Sequence, residues 1–300
     1  MVPCVNPACY RLGTPITEQI RAAGLAGFHA IECSVQQLQK AIEQTSLSNV
    51  ADALQQAGVV IAQCSGILPA GPVLPSPLLI PESRFQTALG EMDASLQVAS
   101  DLHCPLMSVV LNPRVDQQPE AGARSSVLRL QELARRCENH GLGLAVEFVG
   151  VRSGLAPDLD GHHELTPTLG AAVAIIEDVD RSNVGLLFDT YHWYAGGGDL
   201  AEIVDLPRGL VRFVHVNDVP RDVDRDELRD SLRELPGKGV LDLASTLHAL
   251  TEIGYSSCVS VEVFREDLWK LPAEVVAREA YDALSSYFPL GRPSSGEANQ

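Results

Sequence analysis

The chain has 300 residues, of which 45% are hydrophobic, enough for one large α/β domain or two small ones. A formal charge of -17 and a pI near 4.8 give a surface that repels phosphate backbones, so nucleic acid and anionic membranes are poor partners and a small neutral substrate is expected. Seven cysteines, odd in number and without a C-x-x-C pair, argue against a disulfide scaffold or zinc knuckle and for reduced thiols.

In chain order, short apolar runs alternate with longer amphipathic stretches from end to end, the rhythm of βα units around a parallel sheet. Eight runs read as strands: Val2 to Val5, Ala30 to Glu32, Val59 to Gln63, Leu106 to Leu111, Leu142 to Val146, Val184 to Phe188, Val211 to Val214 and Cys258 to Val261. Each is continuous rather than alternating, as expected when both faces are buried. Helical stretches such as Arg84 to Ser100 and Ala123 to His140 lie between them. Eight such units predict a single (β/α)8 TIM barrel over residues 1–290; a doubly wound sheet would show a Gly-rich phosphate loop after the first strand, and none follows Val5.

The start of the chain bears on location, and two later segments fall outside this rhythm. The opening residues, Met1-Val2-Pro3-Cys4-Val5-Asn6, show no basic region followed by an apolar run, and no stretch reaches transmembrane length, so a cytoplasmic location is expected. Leu68 to Pro81 is too proline-dense for a helix or inner strand and is expected to be an extended loop: a lid, a subunit contact or an inert connection. Residues Gly291 to Gln300 are polar and read as a disordered tail.

Four strands end in residues able to bind a metal: Leu-Ala-Val-Glu147, Leu-Leu-Phe-Asp189, Arg-Phe-Val-His215 and Val-Ser-Val-Glu262. Any one of these alone would read as a buried polar residue satisfied by hydrogen bonds. Four together at the strand ends point to one mouth, because the C-terminal ends of barrel strands converge. Two Glu, one Asp and one His offer three hard oxygens and one borderline nitrogen, a set suited to one divalent ion, with Mn2+ favoured and Mg2+, Co2+ or Zn2+ alternatives.

At these residues the sequence resembles the xylose isomerase-like TIM-barrel superfamily of sugar isomerases and epimerases, and within it the 2-keto-myo-inositol (inosose) isomerases. The resemblance rests on Ala145-Val-Glu-Phe-Val-Gly150, Asn183-Val-Gly-Leu-Leu-Phe-Asp-Thr-Tyr-His192, His215-Val-Asn-Asp218, Arg233-Glu-Leu-Pro-Gly-Lys-Gly239 and Val259-Ser-Val-Glu-Val-Phe-Arg265, with Asn6 and Glu32 as scattered matches upstream. It implies that Glu147 and Glu262 both bind metal and face the substrate from opposite sides, one taking a proton and the other returning it. It also implies that His192 and Arg233 contact substrate oxygens. Arg221 resembles a residue used by related ketose epimerases, though Arg225 and Arg229 crowd the same acidic segment and a solvated loop charge reads equally well.

The reaction expected is isomerisation or epimerisation of a small polyhydroxylated ketone, an inosose or ketose, through an enediolate. The same site would also serve an inosose- or dehydroshikimate-type dehydratase, or a subunit of a heteromeric C-glycoside-cleaving enzyme; self-association stays open. A phosphodiester-cleaving relative would need a basic groove, which the charge argues against. Other features carry less. His162-His163-Glu164 sits in a Gly/Asp-rich loop where adjacent histidines point apart. Gly196 to Gly198 precede Asp199, a helix N-cap signal. Pro236-Gly-Lys-Gly239 lacks the Ser or Thr of a phosphate loop. Glu32 either touches substrate or is a buried carboxylate paired at the barrel rim.

Overall fold

The computed structural model describes residues 1–67, 78, 80–111, 114–115, 118–152 and 163–288. The order is β1 (Val2–Val5), α1 (Ile16–Ala26), β2 (Ala30–Ser34), α2 (Val35–Gln44), α3 (Leu47–Ala57), β3 (Val60–Ser65), α4 (Glu82–Asp101), β4 (Leu106–Val110) and β5 (Arg114–Val115). It continues through α5 (Pro119–Asn139), β6 (Gly143–Glu147), β7 (His163–Glu164), α6 (Leu169–Val179), β8 (Val184–Asp189), α7 (Thr190–Ala195), α8 (Leu200–Val204), β9 (Val211–Val216), α9 (Leu243–Glu252), β10 (Cys258–Val261) and α10 (Ala273–Ser285).

Eight strands close a parallel barrel in the order β1-β10-β9-β8-β6-β4-β3-β2, so each of the eight apolar runs is a barrel strand. Closure is made by β1, which pairs with β10 from Val2↔Cys258 to Val5↔Val261 and with β2 at Cys4↔Ala30. The remaining two strands, β5 and β7, form a small antiparallel ribbon.

Local signals fix several element ends. Ser34 caps α2 through a capping box with Gln37, Ser46 caps α3, and Asp199 caps α8 with Glu202 as its reciprocal partner. Gly27 ends α1 at φ 110°, and a Cβ there would lie 2.9 Å from the Tyr281 ring, so α1 and α10 pack against each other over a residue that only glycine can supply.

The barrel interior has a distinct apolar cluster of Cys4, Ala30, Ala62, Leu106, Ala145, Leu187 and Phe213, all buried. A much larger apolar layer, including Ile31, Cys33, Ile61, Leu144, Val146, Leu186 and Val214, fills the space between strands and helices. This division follows the two-residue alternation of a strand: neighbours on one strand face opposite sides. At β3 the alternation breaks. Ile31 pairs with Ile61 but Glu32 pairs with Gln63, leaving Ala62 unpaired in a bulge. Ala62 joins the interior cluster and Gln63 hydrogen-bonds to a neighbouring strand's interior carboxylate, so two successive residues serve the same face.

Of the proline-dense stretch, most lies outside the described residues; Leu78 and Ile80 are buried. The tail 291–300 and His162 are also outside them.

Candidate metal centre

Glu147 and Asp189 are the last residues of β6 and β8, His215 lies one residue from the end of β9, and Glu262 directly follows β10. Pairing of Asp189 with His215 across β8 and β9 sets two of them side by side. The Glu262 amide donates to the Val216 carbonyl at 3.1 Å, which aligns the fourth with the same rim. One ligand-type atom from each of the four falls within 4.8 Å of those of the others, and this is the only such group of three or more His, Cys, Asp or Glu among the described residues.

Asp189 has two tasks, one for each oxygen. Its Oδ1 accepts from the backbone N–H groups of Tyr191 at 2.7 Å and His192 at 3.0 Å, capping α7. Its Oδ2 faces the cluster, 2.6 Å from Arg233 Nη1 and 3.7 Å from His215 Nδ1. Asn217 supports it by donating to Oδ2 at 3.2 Å, and Thr190 Oγ1 in turn donates to Asn217 Oδ1 at 2.8 Å.

His215 shows what the cluster requires. Its Nε2 lies 3.1 Å from the Glu32 carboxylate, whose oxygens can only accept from neighbours, so the neutral ring carries its hydrogen there. The bare Nδ1 is then turned toward Glu262 Oε2 at 3.1 Å, Glu147 Oε1 at 3.4 Å and Asp189 Oδ2. It is buried and makes no hydrogen bond. A lone pair facing three carboxylates is repulsive unless something positive sits between them, either a proton on Nδ1 or a metal ion. Burial alone would lower the His215 pKa, but the charges of Glu262 and Glu32 outweigh it and raise the value well above the ordinary imidazole range. The donor set and the orphaned nitrogen therefore fit a divalent cation, and a proton and a metal would compete for the same lone pair.

The carboxylates differ. Burial pushes the Glu147 carboxyl up, His215 opposes that, and the Glu262 charge adds to it. Burial would also raise Asp189, but Arg233, His192 and His215 together hold it well below the usual carboxylate range. Glu147 and Glu262 are each 9% exposed, whereas Asp189 is sealed at 0% and His215 at 2%. The two glutamates are thus the members that reach the mouth.

Arg233 and His192 lie against the cluster. Arg233 is 1% exposed, donates to Asp189 Oδ2 and, at 2.8 Å, to Glu262 Oε2, and is packed between the rings of Tyr191 and Phe264 at 5.1 and 5.2 Å. Its Nη2 lies 3.0 Å from His192 Nε2. A guanidinium cannot accept, so His192 Nε2 must, and the ring hydrogen is on Nδ1, which is buried and has no hydrogen-bond partner. The loop bearing Arg233 is bent back by Asp218, whose carboxylate accepts from the amides of Val219, Gly239 and Leu241. Gly239 is required there, since a Cβ would fall 2.0 Å from the Val219 carbonyl. Arg221 does not join: it is exposed on the same loop and among the described residues makes no hydrogen bond or ion pair, because the chain turns outward between Val219 and Leu228.

Local pattern does not mark Asn217 and Asp218 as structural supports and gives Asn6 no role. It gives Gln63 none either, because the bulge that aims it inward leaves no local signal. His163 pairs with Val115 in the small ribbon, apart from the metal-type cluster.

The model of the xylose isomerase-like TIM barrel family matches residues 20–287. The chain belongs to that family. A relative named inosose isomerase, from Bacillus licheniformis, is 37% identical over 190 residues, 61% of this chain and 64% of the relative, so the match spans just under two thirds of that protein. A 3-dehydroshikimate dehydratase from Pseudomonas aeruginosa is 33% identical over 208 residues, 69% of this chain but 30% of that protein. Among solved structures, the IOLI protein with a bound zinc atom superposes with a TM-score of 0.80 at 27% identity, covering 96% of this chain and 99% of that one. No described helix is long and apolar enough to cross a membrane.

Proposed function

We propose that the chain is a divalent-metal-dependent isomerase or epimerase of a small polyhydroxylated ketone, with an inosose as first candidate. Glu147, Asp189, His215 and Glu262 are the ligands in this reading, and Mn2+ is the metal placed first. The observation that carries it is the orphaned, buried Nδ1 of His215 ringed by three carboxylates, of which the two glutamates are also the most exposed. The inosose isomerase relative supports the substrate class.

A divalent ion held there would polarise the ketone and offset charge on the enediolate oxygens. The protein's own groups then divide the work. One glutamate takes the proton from the carbon beside the carbonyl and the other returns one. His192, fixed as an Nδ1–H donor by Arg233, offers that hydrogen to a substrate oxygen. Arg233 holds the Asp189 and Glu262 carboxylates in place while satisfying His192.

The dehydratase relative favours one second reading, in which the same enediolate expels a β-hydroxyl instead of being reprotonated. A panel of inososes and ketoses incubated with the protein and Mn2+ in D2O separates the outcomes. The expected result is deuterium entering the carbon next to the carbonyl, seen by NMR, lost on chelation and restored by one equivalent of divalent ion. A product lighter by one water, seen by mass spectrometry, establishes the dehydratase instead. Full activity after exhaustive metal removal would sink both. Turnover by the isolated chain removes the reading as a subunit dependent on a partner.

A further inference from the structure

Glu32 lies across the barrel from the proposed ligands, on β2, and is 1% exposed. Both of its oxygens are taken by protein donors. Asn6 Nδ2 donates to Oε1 at 3.0 Å, and Gln63 Nε2 and His215 Nε2 both converge on Oε2, the latter at 3.1 Å. The donors come from three different barrel positions: the residue after β1, the bulge of β3, and β9. With three protein donors on its two oxygens and solvent excluded, this carboxylate is held by the barrel interior rather than presented at the mouth.

The arrangement does something else. Two carboxamide N–H groups pin the carboxylate so that it presents a fixed acceptor to His215, and only the Nε2–H form of that ring satisfies it. The other nitrogen is thereby committed, with its lone pair directed at Glu262, Glu147 and Asp189. A carboxylate hydrogen-bonded to the far nitrogen of a ligating imidazole fixes its tautomer and orientation and makes the near nitrogen a better donor.

We propose that Glu32, clamped by Asn6 and Gln63, is a positioning residue that locks His215 with Nδ1 facing the metal site. This rests on the reading of the four residues as metal ligands. It also assigns a use to the β3 bulge, which turns Gln63 to the side occupied by Glu32 where regular pairing would have turned it away.

The test is calorimetric titration with Zn2+ of the metal-free wild type, Glu32→Gln, Glu32→Asp, His215→Gln and the Glu32→Gln/His215→Gln double variant, with Asp189→Ala as a control. Glu32→Gln is expected to weaken Zn2+ binding by about 10- to 100-fold. In the His215→Gln background the same substitution is expected to cause little further loss, because its effect passes through the histidine. In the zinc-loaded, 15N-histidine-labelled wild type, the His215 Nε2–H proton should be visible and slow to exchange; in zinc-loaded Glu32→Gln it should exchange faster. Should Glu32→Gln fail to fold, Glu32→Asp, which keeps the charge but draws it away from the ring, is expected to weaken Zn2+ binding in the same direction. Wild-type affinity in the folded Glu32 variants, or an undiminished loss in the His215→Gln background, overturns the proposal while leaving the metal site intact. Equal Zn2+ uptake by wild type, Asp189→Ala and His215→Gln overturns the metal reading itself.

Discussion

Cys4, Ala30, Ala145, Leu187 and Phe213 form an apolar floor inside the barrel, and two residues further along the same strands stand Asn6, Glu32, Glu147, Asp189 and His215. Both sets face the same interior, since strand positions two apart share a face. The floor has no charge and the layer above has four ionisable groups, so the two do different work. An apolar floor keeps water from beneath the charges, so their mutual interactions are strong, and strands that are rigid because their other face packs on helices hold the charges in place. Stability and chemistry are thus allotted to successive layers of one structure, and each can be perturbed separately.

The largest expected effect lies in the upper layer. Glu147→Gln and Glu262→Gln each keep an oxygen near the site but delete a proton acceptor, so kcat/KM for the deuterium-exchange substrate should fall by about two to four orders of magnitude while some metal binding survives. Comparable turnover in both variants with metal retained would show that neither is the base, and His192 would be tested next.

Next comes Arg233→Met, which strips the buried cation from Asp189 and Glu262. Chemical denaturation of the metal-free variant should show a loss of about 3–5 kcal/mol, because the partner carboxylates stay buried and lose their compensation. Saturating Zn2+ should restore more stability to this variant than it adds to wild type, since the ion would replace the missing positive charge. Stability unchanged from wild type would mean that Asp189 and Glu262 do not depend on the guanidinium.

The floor should answer differently. Leu187→Ala opens a cavity beneath the charges at a position that is 0% exposed, and should lower stability by about 2–5 kcal/mol. Zn2+ affinity of the folded fraction should change little, because Asp189 is held independently by the α7 amides, Asn217 and Arg233. A large loss of affinity with little loss of stability would erase the division between the layers.

Much of this two-layer plan is legible in the amino-acid sequence. Runs such as Val184 to Phe188 are continuous and apolar because both faces of a barrel strand are buried, and that composition is a local property of a few residues. Glu147, Asp189, His215 and Glu262 stand out for the same reason: a charged or ligating residue ending such a run has no local explanation. The α8 cap at Asp199 is equally plain, since its reciprocal partner Glu202 lies three residues away.

What depends on distant partners is settled only by the folded chain. Glu32 reads from sequence as a substrate contact or a buried rim carboxylate; the folded chain pairs it with His215, 183 residues away. Gln63 carries no signal because a single unpaired residue, Ala62, reverses the face that alternation assigns to it. Arg221 and Arg233 lie on one loop with similar neighbours, and nothing in their local pattern separates them; the fold does, since Asp218 gathers three amides that bend one end of the loop inward while Arg221 stays in solvent. Periodicity records which face a residue turns to the core, but the identity of the group it meets there is fixed only when the eight strands close.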